Sequence, residues 1–271
     1  MSTIGLYDDE LIRFESEGAP ELTKSSEEGF ADNKGAKIWY AVFGSGLPVV
    51  LLHGGLGHSG NWGGQVPALI SGGYQVILID SRGHGRSSRD NQPFTYQLMA
   101  SDVIAVMDLL KIDMAAFVGW SDGADTALIL ADLAPLRAAG VLFFGCNMDD
   151  SGTKYITDYG PALTRCFNRH AKDYARLSAT PDQFAAFVEA VSFMQRTQPN
   201  YSAQDLKRIQ VPVLVVYSEN DEFIKQEHAE YLAGTLPNAK LTILKDVSHF
   251  APLQRPDLFN RVMLEFLKTI Y

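Results

Sequence analysis

The chain has 271 residues, 46% of them hydrophobic, and a formal net charge of −9 at pH 7. A surplus of acidic side chains repels the phosphates of nucleic acids and of anionic membranes, so we expect neither as a partner. Only two cysteines occur, Cys146 and Cys166, which are too few for a disulfide framework, and no Cys/His cluster has zinc-binding spacing. We therefore expect no metal and no other cofactor, and a small molecule as the binding partner.

The length and the apolar content suit one domain with room for an inserted lid. The first 30 residues contain several acids and no continuous apolar segment, and the chain has no run of 18 apolar residues. These features predict a cytoplasmic protein. They leave open whether it is a monomer or a homodimer.

The N-terminal residues 1–36 are acidic and contain glycines without a sustained hydrophobic period. We interpret them as a loosely packed extension with one short strand or helix. Two short β-prone runs follow, residues 37–43 and 48–52, separated by Gly-Ser-Gly at 44–46. This spacing predicts a hairpin that leads into a buried strand.

Strand-like and helix-like segments then alternate along the chain. Apolar residues recur at helical spacing between 94 and 111. The strand-like runs are residues 74–79, 114–120, 140–144, 212–217 and 240–244. This alternation predicts an α/β fold with a mostly parallel, doubly wound sheet and helices on both faces. Its core would comprise residues 37–146 and 209–271.

Residues 147–208 break this alternation, because they contain no convincing buried strand. Phe184, Phe187, Val188 and Val191 have helical spacing, which predicts a helical lid inserted into the core. The aromatic residues of the insert either pack it against the sheet or line a pocket. They include Tyr155, Tyr159, Phe167, Tyr174, Phe193 and Tyr201.

The segment Val-Gly-Trp-Ser-Asp-Gly-Ala at 118–124 places a small residue on each side of Ser121, just after an apolar run. In a Gly-x-Ser-x-Gly elbow, a strand turns sharply into a helix, and the glycines remove side chains that would collide there. The serine hydroxyl is thereby lifted out of the sheet. Because a free hydroxyl is a weak nucleophile, this prediction needs a base, an acid that orients the base, and donors for an oxyanion.

His249 is the candidate base, because it lies in a loop just after the last predicted strand, at the edge where parallel strands place ligands. The other five of the six histidines lie in glycine-rich loops or predicted helices. Asp221, in the exit loop of the preceding strand, is the candidate acid, because the order is then serine, acid, histidine. The other acids near such exits are Glu219 and Glu222, which flank Asp221, and its rivals Asp149 and Asp150.

The glycine-rich run Leu-Leu-His-Gly-Gly-Leu-Gly at 51–57 allows its backbone to approach a substrate closely. The Gly55 amide and the Asp122 amide are candidate donors for an oxyanion. The alternative explanation for such a loop is a simple turn.

Together these residues resemble the α/β-hydrolase superfamily over residues 37–271. The run Asp-Ser-Arg-Gly-His-Gly-Arg-Ser at 80–87 is similar to a structural turn of that family. The Gly-Trp-Ser-Asp-Gly elbow makes the chain most similar to biphenyl-hydrolase-like and valacyclovir-hydrolase-like serine hydrolases. The resemblance implies that Ser121 is the nucleophile, that His249 is the general acid/base oriented by Asp221, and that the Gly55 and Asp122 amides form the oxyanion hole.

The residues next to the nucleophile bear on the substrate. The resemblance implies that the Asp122 carboxylate contacts a cationic α-amino group, such as that of an amino-acid ester. The alternative is that Asp122 and Asp125 only occupy the first turn of a helix, where the helix dipole favours carboxylates. Trp120 and Phe223 are further candidates for substrate contact. Ala124 departs from the family pattern, in which a second glycine is frequent at this position.

The predicted function is hydrolysis of a small-molecule carboxylic ester or related acyl bond through an acyl-enzyme on Ser121. This is the activity of a carboxylesterase with a Ser-Asp-His triad. Other reactions of the same residues stay open, namely C–C bond hydrolysis, lactone opening and perhydrolysis. Outside enzymes, the alternative is a non-catalytic receptor for a small ligand.

Overall fold

The computed structural model describes residues 8–156 and 160–271. The first seven residues of the predicted extension and Tyr159 of the predicted lid lie outside the described residues. The helices are α1 (Asp8–Glu17), α2 (Val66–Ser71), α3 (Tyr96–Leu109), α4 (Asp122–Leu133), α5 (Pro161–Leu177), α6 (Phe184–Thr197), α7 (Ala203–Arg208), α8 (Gln226–Thr235), α9 (Ala251–Gln254) and α10 (Pro256–Ile270). The strands are β1 (Glu27–Asn33), β2 (Ala36–Gly44), β3 (Leu47–Leu52), β4 (Tyr74–Ile79), β5 (Ala115–Trp120), β6 (Ala138–Phe144), β7 (Val213–Asn220) and β8 (Ala239–Ser248).

These strands form one sheet in the order β1-β2-β4-β3-β5-β6-β7-β8. All neighbouring pairs from β4 to β8 are parallel, whereas β2 pairs with β1 and β4 in the antiparallel direction. The prediction of a mostly parallel sheet in an α/β fold is therefore confirmed. The carboxyl ends of the parallel strands lie at one edge, where such sheets position their ligand-binding loops.

Helices cover both faces of the sheet, as the alternation of segments predicts. Successive residues of β3, such as Leu51 and Leu52, enter two separate clusters of buried side chains. Helices α3, α4 and α8 contribute to one cluster, and α2 and α10 contribute to the other. Because both faces are buried, the central strands are apolar at every position instead of alternating with polar residues.

The predicted hairpin between residues 37–43 and 48–52 is wrong. Strand β2 pairs with β1 and β4, while β3 lies between β4 and β5. The hairpin that does form joins β1 to β2 through Lys34 and Gly35, whose φ angles of 43° and 85° suit a tight two-residue turn. The glycine-rich link at 44–46 instead carries the chain past β4 to the centre of the sheet.

The N-terminal extension contains more structure than its composition indicates. It holds both a helix, α1, and an edge strand, β1, where one element is predicted. Leu11 and Phe14 of α1 are buried against the rest of the protein. These contacts are made with α5 and α9, which are distant in sequence, so the local pattern does not reveal them.

The insert between β6 and β7 is helical, as the sequence predicts. In its described part it contains α5, α6, α7 and short 3₁₀ turns, with a single isolated bridge from Thr153 to Ile224 as its only β pairing. Aromatic side chains of the insert pack on one another: Tyr174 stacks on Phe187 at 4.8 Å between ring centroids. Among the described helices, none has the length and apolar character needed to cross a membrane.

Candidate active site

Ser121 lies at a strained turn between β5 and α4. Its φ and ψ angles are 54° and −127°, a region that residues other than glycine rarely occupy. The Ser121 amide donates to the Phe144 carbonyl at 2.8 Å, which ties the turn to the end of β6. A cost of about 1–3 kcal/mol is typical of such a backbone and persists only where the surroundings enforce it.

The two glycines of the elbow are required by close packing. A Cβ atom at Gly119 would overlap the Ala124 backbone, and one at Gly123 would overlap the Leu52 carbonyl. The missing side chain at Gly119 lets α4 fold back on β5, and the missing side chain at Gly123 lets α4 begin directly beside β3. The Gly-x-Ser-x-Gly spacing is therefore a steric requirement of this turn.

Asp221 and His249 meet at the ends of β7 and β8. The Asp221 Oδ2 atom and the His249 Nδ1 atom are 2.9 Å apart, and both residues are buried. Asp221 Oδ1 accepts hydrogen bonds from the Phe223 and Ile224 amides at 2.8 and 2.9 Å, so the carboxylate is held in one orientation. This arrangement leaves the Nε2 atom of the imidazole for chemistry.

The rival acid Asp149 has another role. Its Oδ1 atom accepts a hydrogen bond from the Ser151 amide at 2.9 Å and caps the short turn at Asp150–Gly152. The geometry thus pairs His249 with Asp221, the acid that the chain order favours.

The imidazole of His249 is surrounded by negative charge. Burial disfavours the charged imidazolium and is the largest single influence, but it is outweighed by the charge and hydrogen bond of Asp221 and by the charges of Glu222 and Asp122. The pKa of His249 is therefore raised above its ordinary value of 6.5. A raised pKa makes the imidazole a stronger base and stabilises the imidazolium that proton transfer would create.

Glu222 also contacts His249, whereas the sequence identifies Glu222 only as a residue that flanks Asp221. Its Oε2 atom accepts a hydrogen bond from the His249 amide at 2.9 Å. Burial raises the pKa of Glu222, while this bond and the nearby imidazole oppose that rise. Nothing in the local sequence distinguishes Glu222 from Glu219, which pairs instead with Lys245 at the surface.

The Asp122 carboxylate is buried beside the nucleophile and is held by two donors. Tyr96 donates its hydroxyl to Oδ1 at 3.0 Å, and the Gln195 amide of the insert donates to Oδ1 and Oδ2 at 3.1 and 3.2 Å. Burial raises the pKa of Asp122 in spite of these bonds. The carboxylate lies over the glycine-rich loop, since a Cβ atom at Gly55 would be 2.5 Å from Oδ2.

The glycine-rich loop after β3 runs alongside the elbow. A Cβ atom at Gly54 would lie 3.1 Å from the Ser121 Cβ atom. Downstream in the loop, the His58 Nε2 atom contacts Asp173 Oδ2 of α5 at 3.2 Å. Burial alone would raise the pKa of Asp173. Hydrogen bonds from His58 and Arg169 outweigh this effect and hold the pKa below its ordinary value. This buried network connects the loop to the insert.

The remaining predicted contacts surround the imidazole. The Phe223 ring packs edge-on against His249 at 4.7 Å between centroids. Trp120 lies 6.1 Å from the same ring, but only 3% of it is exposed and it packs on Trp62 and Phe250. Both side chains therefore support the imidazole, and their contact with a substrate stays a prediction. Across residues 8–156 and 160–271, no group of three or more acidic, histidine or cysteine side chains is placed to hold a metal ion.

The other histidines hold loops in place. The Nε2 atom of His53 accepts a hydrogen bond from the Ser81 amide at 3.0 Å, and that of His228 accepts one from the Met148 amide at 3.0 Å. Burial lowers the pKa of His53 to about 4 and that of His84 to about 3. These rings are neutral supports of the backbone, which leaves His249 as the histidine beside the elbow.

The parallel sheet carries Ser121 at a strained elbow and the Asp221–His249 pair at its ligand-binding edge. The sequence profile of the Alpha/beta hydrolase family matches residues 49–262. The chain therefore belongs to the alpha/beta hydrolase family, and its general function is hydrolytic.

Named relatives agree with this assignment. The chain is 27% identical over 251 residues to Serine hydrolase BPHL of Homo sapiens, with 86% of this chain and 84% of the relative covered. It is 30% identical over 262 residues to the putative carbamate hydrolase RutD of Caulobacter sp. (strain K31), with 85% and 95% covered. The predicted resemblance to biphenyl-hydrolase-like serine hydrolases is thus confirmed.

Solved structures share the architecture. Est816, described as an N-acyl homoserine lactone degrading enzyme, is 30% identical and has a TM-score of 0.70, covering 88% of this chain and 100% of its own. A meta-cleavage product hydrolase from Pseudomonas fluorescens IP01 has a TM-score of 0.75 at 22% identity, covering 91% and 99%. The second similarity establishes the fold.

Proposed function

We propose that this protein is a serine hydrolase that cleaves a small-molecule carboxylic ester or related acyl bond through an acyl-enzyme on Ser121. The observation that carries the proposal is the buried hydrogen bond between Asp221 and His249 at 2.9 Å, next to a serine held at a strained elbow. A base that an acid holds in one orientation is the group that activates a serine hydroxyl.

Each step of the proposed reaction transfers one proton through His249. Ser121 Oγ attacks the acyl carbon while its proton passes to His249 Nε2, and the carbonyl oxygen becomes an oxyanion held by the Gly55 and Asp122 amides. The bond to the leaving group then breaks, and the imidazolium returns the proton to the departing oxygen. Water next attacks the acyl-enzyme and gives one proton to His249. The bond to Ser121 then breaks, the imidazolium returns the proton to Ser121 Oγ, and the carboxylic acid is released.

No hydrogen bond yet joins the serine to the histidine. Within the described residues, the Ser121 hydroxyl makes no hydrogen bond to the imidazole. Catalytic hydrogen bonds are frequently long in the absence of substrate and shorten in the Michaelis complex. We infer that the same shortening occurs here when an acyl group fills the space between Ser121, Gly55 and Asp122.

The relatives support an acyl bond as the target without deciding the substrate. An N-acyl homoserine lactone degrading enzyme at 30% identity acts on an acylated lactone, and a serine hydrolase is similar over 86% of this chain. C–C bond hydrolysis, lactone opening and perhydrolysis are the alternatives, because the same three residues would serve them. A receptor that binds without reacting is the alternative outside enzymes.

Asp122 bears on the class of ester. The Gln195 amide contacts both oxygens of the Asp122 carboxylate, so an α-ammonium group would exchange with this amide or use the remaining lone pairs. Gln195 is an exposed residue of α6, so this exchange requires the movement of one surface side chain. We therefore include amino-acid esters among the proposed substrates.

The decisive experiment compares Ser121→Ala with the wild type and with the exposed-serine control Ser71→Ala. The substrates are p-nitrophenyl butyrate and the matched esters of an amino acid with and without its α-amino group. We expect Ser121→Ala to lower kcat/KM about 10⁴-fold and to abolish labelling by a fluorophosphonate probe, while Ser71→Ala retains both. Turnover or labelling that survives in Ser121→Ala would refute the acyl-enzyme, and equal turnover of the matched esters would exclude recognition of the amine.

A further inference from the structure

Glu222 contacts the main chain of the proposed catalytic histidine without forming part of the triad. Its Oε2 atom accepts the His249 amide at 2.9 Å, while the neighbouring Asp221 holds the side chain of the same residue at 2.9 Å. Two consecutive residues at the end of β7 thus hold His249 by its backbone and by its ring. The histidine follows β8, so these contacts fix it across the edge of the sheet.

Glu222 is partly shielded from water. From α5, the Cys166 thiol faces the same carboxylate, and burial together with the Glu222 and Glu15 charges raises the pKa of Cys166 well above its ordinary value, so this neighbour is neutral. A charge in such a place acts on the imidazole with little screening.

Every element packed against the imidazole contributes either a negative charge or a neutral ring. The end of β7 provides Asp221 and Glu222, and the start of α4 provides Asp122. The remaining ring contacts are aromatic and come from Trp120, Phe144, Phe223 and Phe250. The cations near this loop are Lys154, which donates to the Asp221 carbonyl at 2.6 Å, and Arg165 of α5, whose charge acts on the neighbouring Cys166.

We propose that Glu222 is a positioning residue for His249, whose carboxylate holds the histidine main chain and supplies a second negative charge that stabilises the imidazolium formed during acyl transfer. The inference rests on the proposed function for its kinetic consequences, whereas its electrostatic consequence holds whatever the reaction. The carboxylate accepts the amide hydrogen bond in every step and itself exchanges no proton.

Two substitutions separate the roles of the hydrogen bond and the charge. Glu222→Gln keeps an oxygen that can accept the His249 amide but removes the charge, and Glu222→Ala removes both. The matched control is Glu219→Gln, because Glu219 lies at the end of β7, three residues before Glu222, and accepts the Asp246 amide at 3.2 Å, yet it faces Lys245 at the surface.

The first measurement is the titration of the His249 ring by NMR, assigned with His249→Asn, and it needs no activity. We expect Glu222→Gln to lower the pKa of His249 by about one unit, with Glu219→Gln unchanged. If the ring titrates in Glu222→Gln as it does in the wild type, the electrostatic role is refuted.

The second measurement is the pH profile of kcat/KM on p-nitrophenyl butyrate. Activity requires the neutral imidazole, so it is lost as the pH falls through the pKa of His249. Glu222→Gln should therefore keep its activity to a lower pH and lose up to about tenfold in kcat, because the imidazolium loses the second charge. Glu222→Ala should lose roughly 100-fold in kcat because the histidine is no longer held. A kcat of Glu222→Ala within twofold of the wild type would refute the positioning role.

The two proposals fail in different ways. If Ser121 is not the nucleophile, wild-type turnover does not depend on it, yet the titration still reports the effect of Glu222. If Glu222 has no role, the wild type and Ser121→Ala differ as proposed, but Glu222→Gln and Glu219→Gln behave alike.

Discussion

At the scale of single residues, buried carboxylates gather around the elbow. Asp122 and Asp125 occupy the first turn of α4, one facing the glycine-rich loop and the other facing Cys146. Burial raises the pKa of Asp125 well above its ordinary value, although the Cys146 thiol and the Tyr96 hydroxyl favour its charged form. One oxygen, Oδ1, has no hydrogen-bond partner among the described residues. The helix dipole alone therefore does not explain the energetics of this turn.

Asp125→Asn should change how stability depends on pH. Because the folded-state pKa of Asp125 is raised, its favourable contribution is complete below the unfolded-state pKa near 4 and is lost as the pH rises. Asparagine does not titrate, so the variant should gain stability relative to the wild type as the pH rises from 5 to 8. Urea unfolding at both pH values measures this difference.

Ionisable groups that do not interact with Asp125 titrate alike in both proteins and cancel from this comparison, whereas Asp122, Tyr96 and Cys146 interact with it. An unfolding free-energy difference that is the same at pH 5 and pH 8 would contradict a raised pKa at Asp125. Cys146→Ala serves as the control, because it removes the contact with the thiol and leaves the carboxyl group in place.

At the scale of elements, α1 fastens the insert to the core. It packs on α5 of the insert and on α9, which follows the His249 loop. Polar contacts add to this packing: Asn168 donates to Glu15 at 2.8 Å, and Arg255 pairs with Glu10. A segment that the composition describes as a loose extension thus bridges two elements close to the site.

Leu11→Ala should release this helix. Leu11 is fully buried, and removing a buried leucine side chain costs about 3 kcal/mol where the cavity does not collapse. The next residue, Ile12, is 44% exposed, so Ile12→Ala should cost less than about 0.5 kcal/mol. Chemical denaturation and hydrogen exchange across α1 and α5 test the difference, and equal effects of the two variants would show that α1 is not anchored through Leu11.

The elements that the sequence predicts well are those with a strong local signal. The central strands β4 and β7 are continuous apolar runs, and the amphipathic pattern between 94 and 111 corresponds to α3. Strand β8 extends to Ser248, beyond the predicted end at 244. Lys245 and Asp246 interrupt the apolar run, and the pairing with β7 resumes after an irregularity, at Asn220 and Ser248. The structure of the N-terminal extension is not evident from its sequence, because β1 is a polar edge strand and α1 is buried only by elements distant in sequence.

At the scale of the whole molecule, the last residue connects three elements. The Tyr271 hydroxyl, at the end of α10, accepts a hydrogen bond from the Ala116 amide at 2.8 Å and donates to the Pro48 carbonyl at 2.6 Å. It thereby joins the starts of β5 and β3 on the side of the sheet opposite to the site. Burial raises the pKa of this hydroxyl to about 12, which keeps it protonated and able to donate.

Tyr271→Phe should destabilise the protein without altering the site. The substitution leaves the Ala116 amide and the Pro48 carbonyl without this partner, at a cost of about 1–3 kcal/mol. Tyr155→Phe is the control, because Tyr155 is 92% exposed. Thermal unfolding and kcat/KM are measured on the same samples. A loss of kcat/KM in Tyr271→Phe at a temperature where the protein is folded would contradict the separation of the two ends of the sheet.

The sequence by itself determined the residues of the elbow, the order of serine, acid and histidine, and the class of fold. These depend on short motifs and on hydrophobic periods, and both are local properties of the chain. Only the tertiary structure decided that Asp221 and not Asp149 meets His249. It also decided that β2 pairs with β4 instead of with β3, and that Glu222 and Gln195 reach the site. Each of these results depends on contacts between residues far apart in sequence, whose geometry is set by the packing of the sheet and the insert.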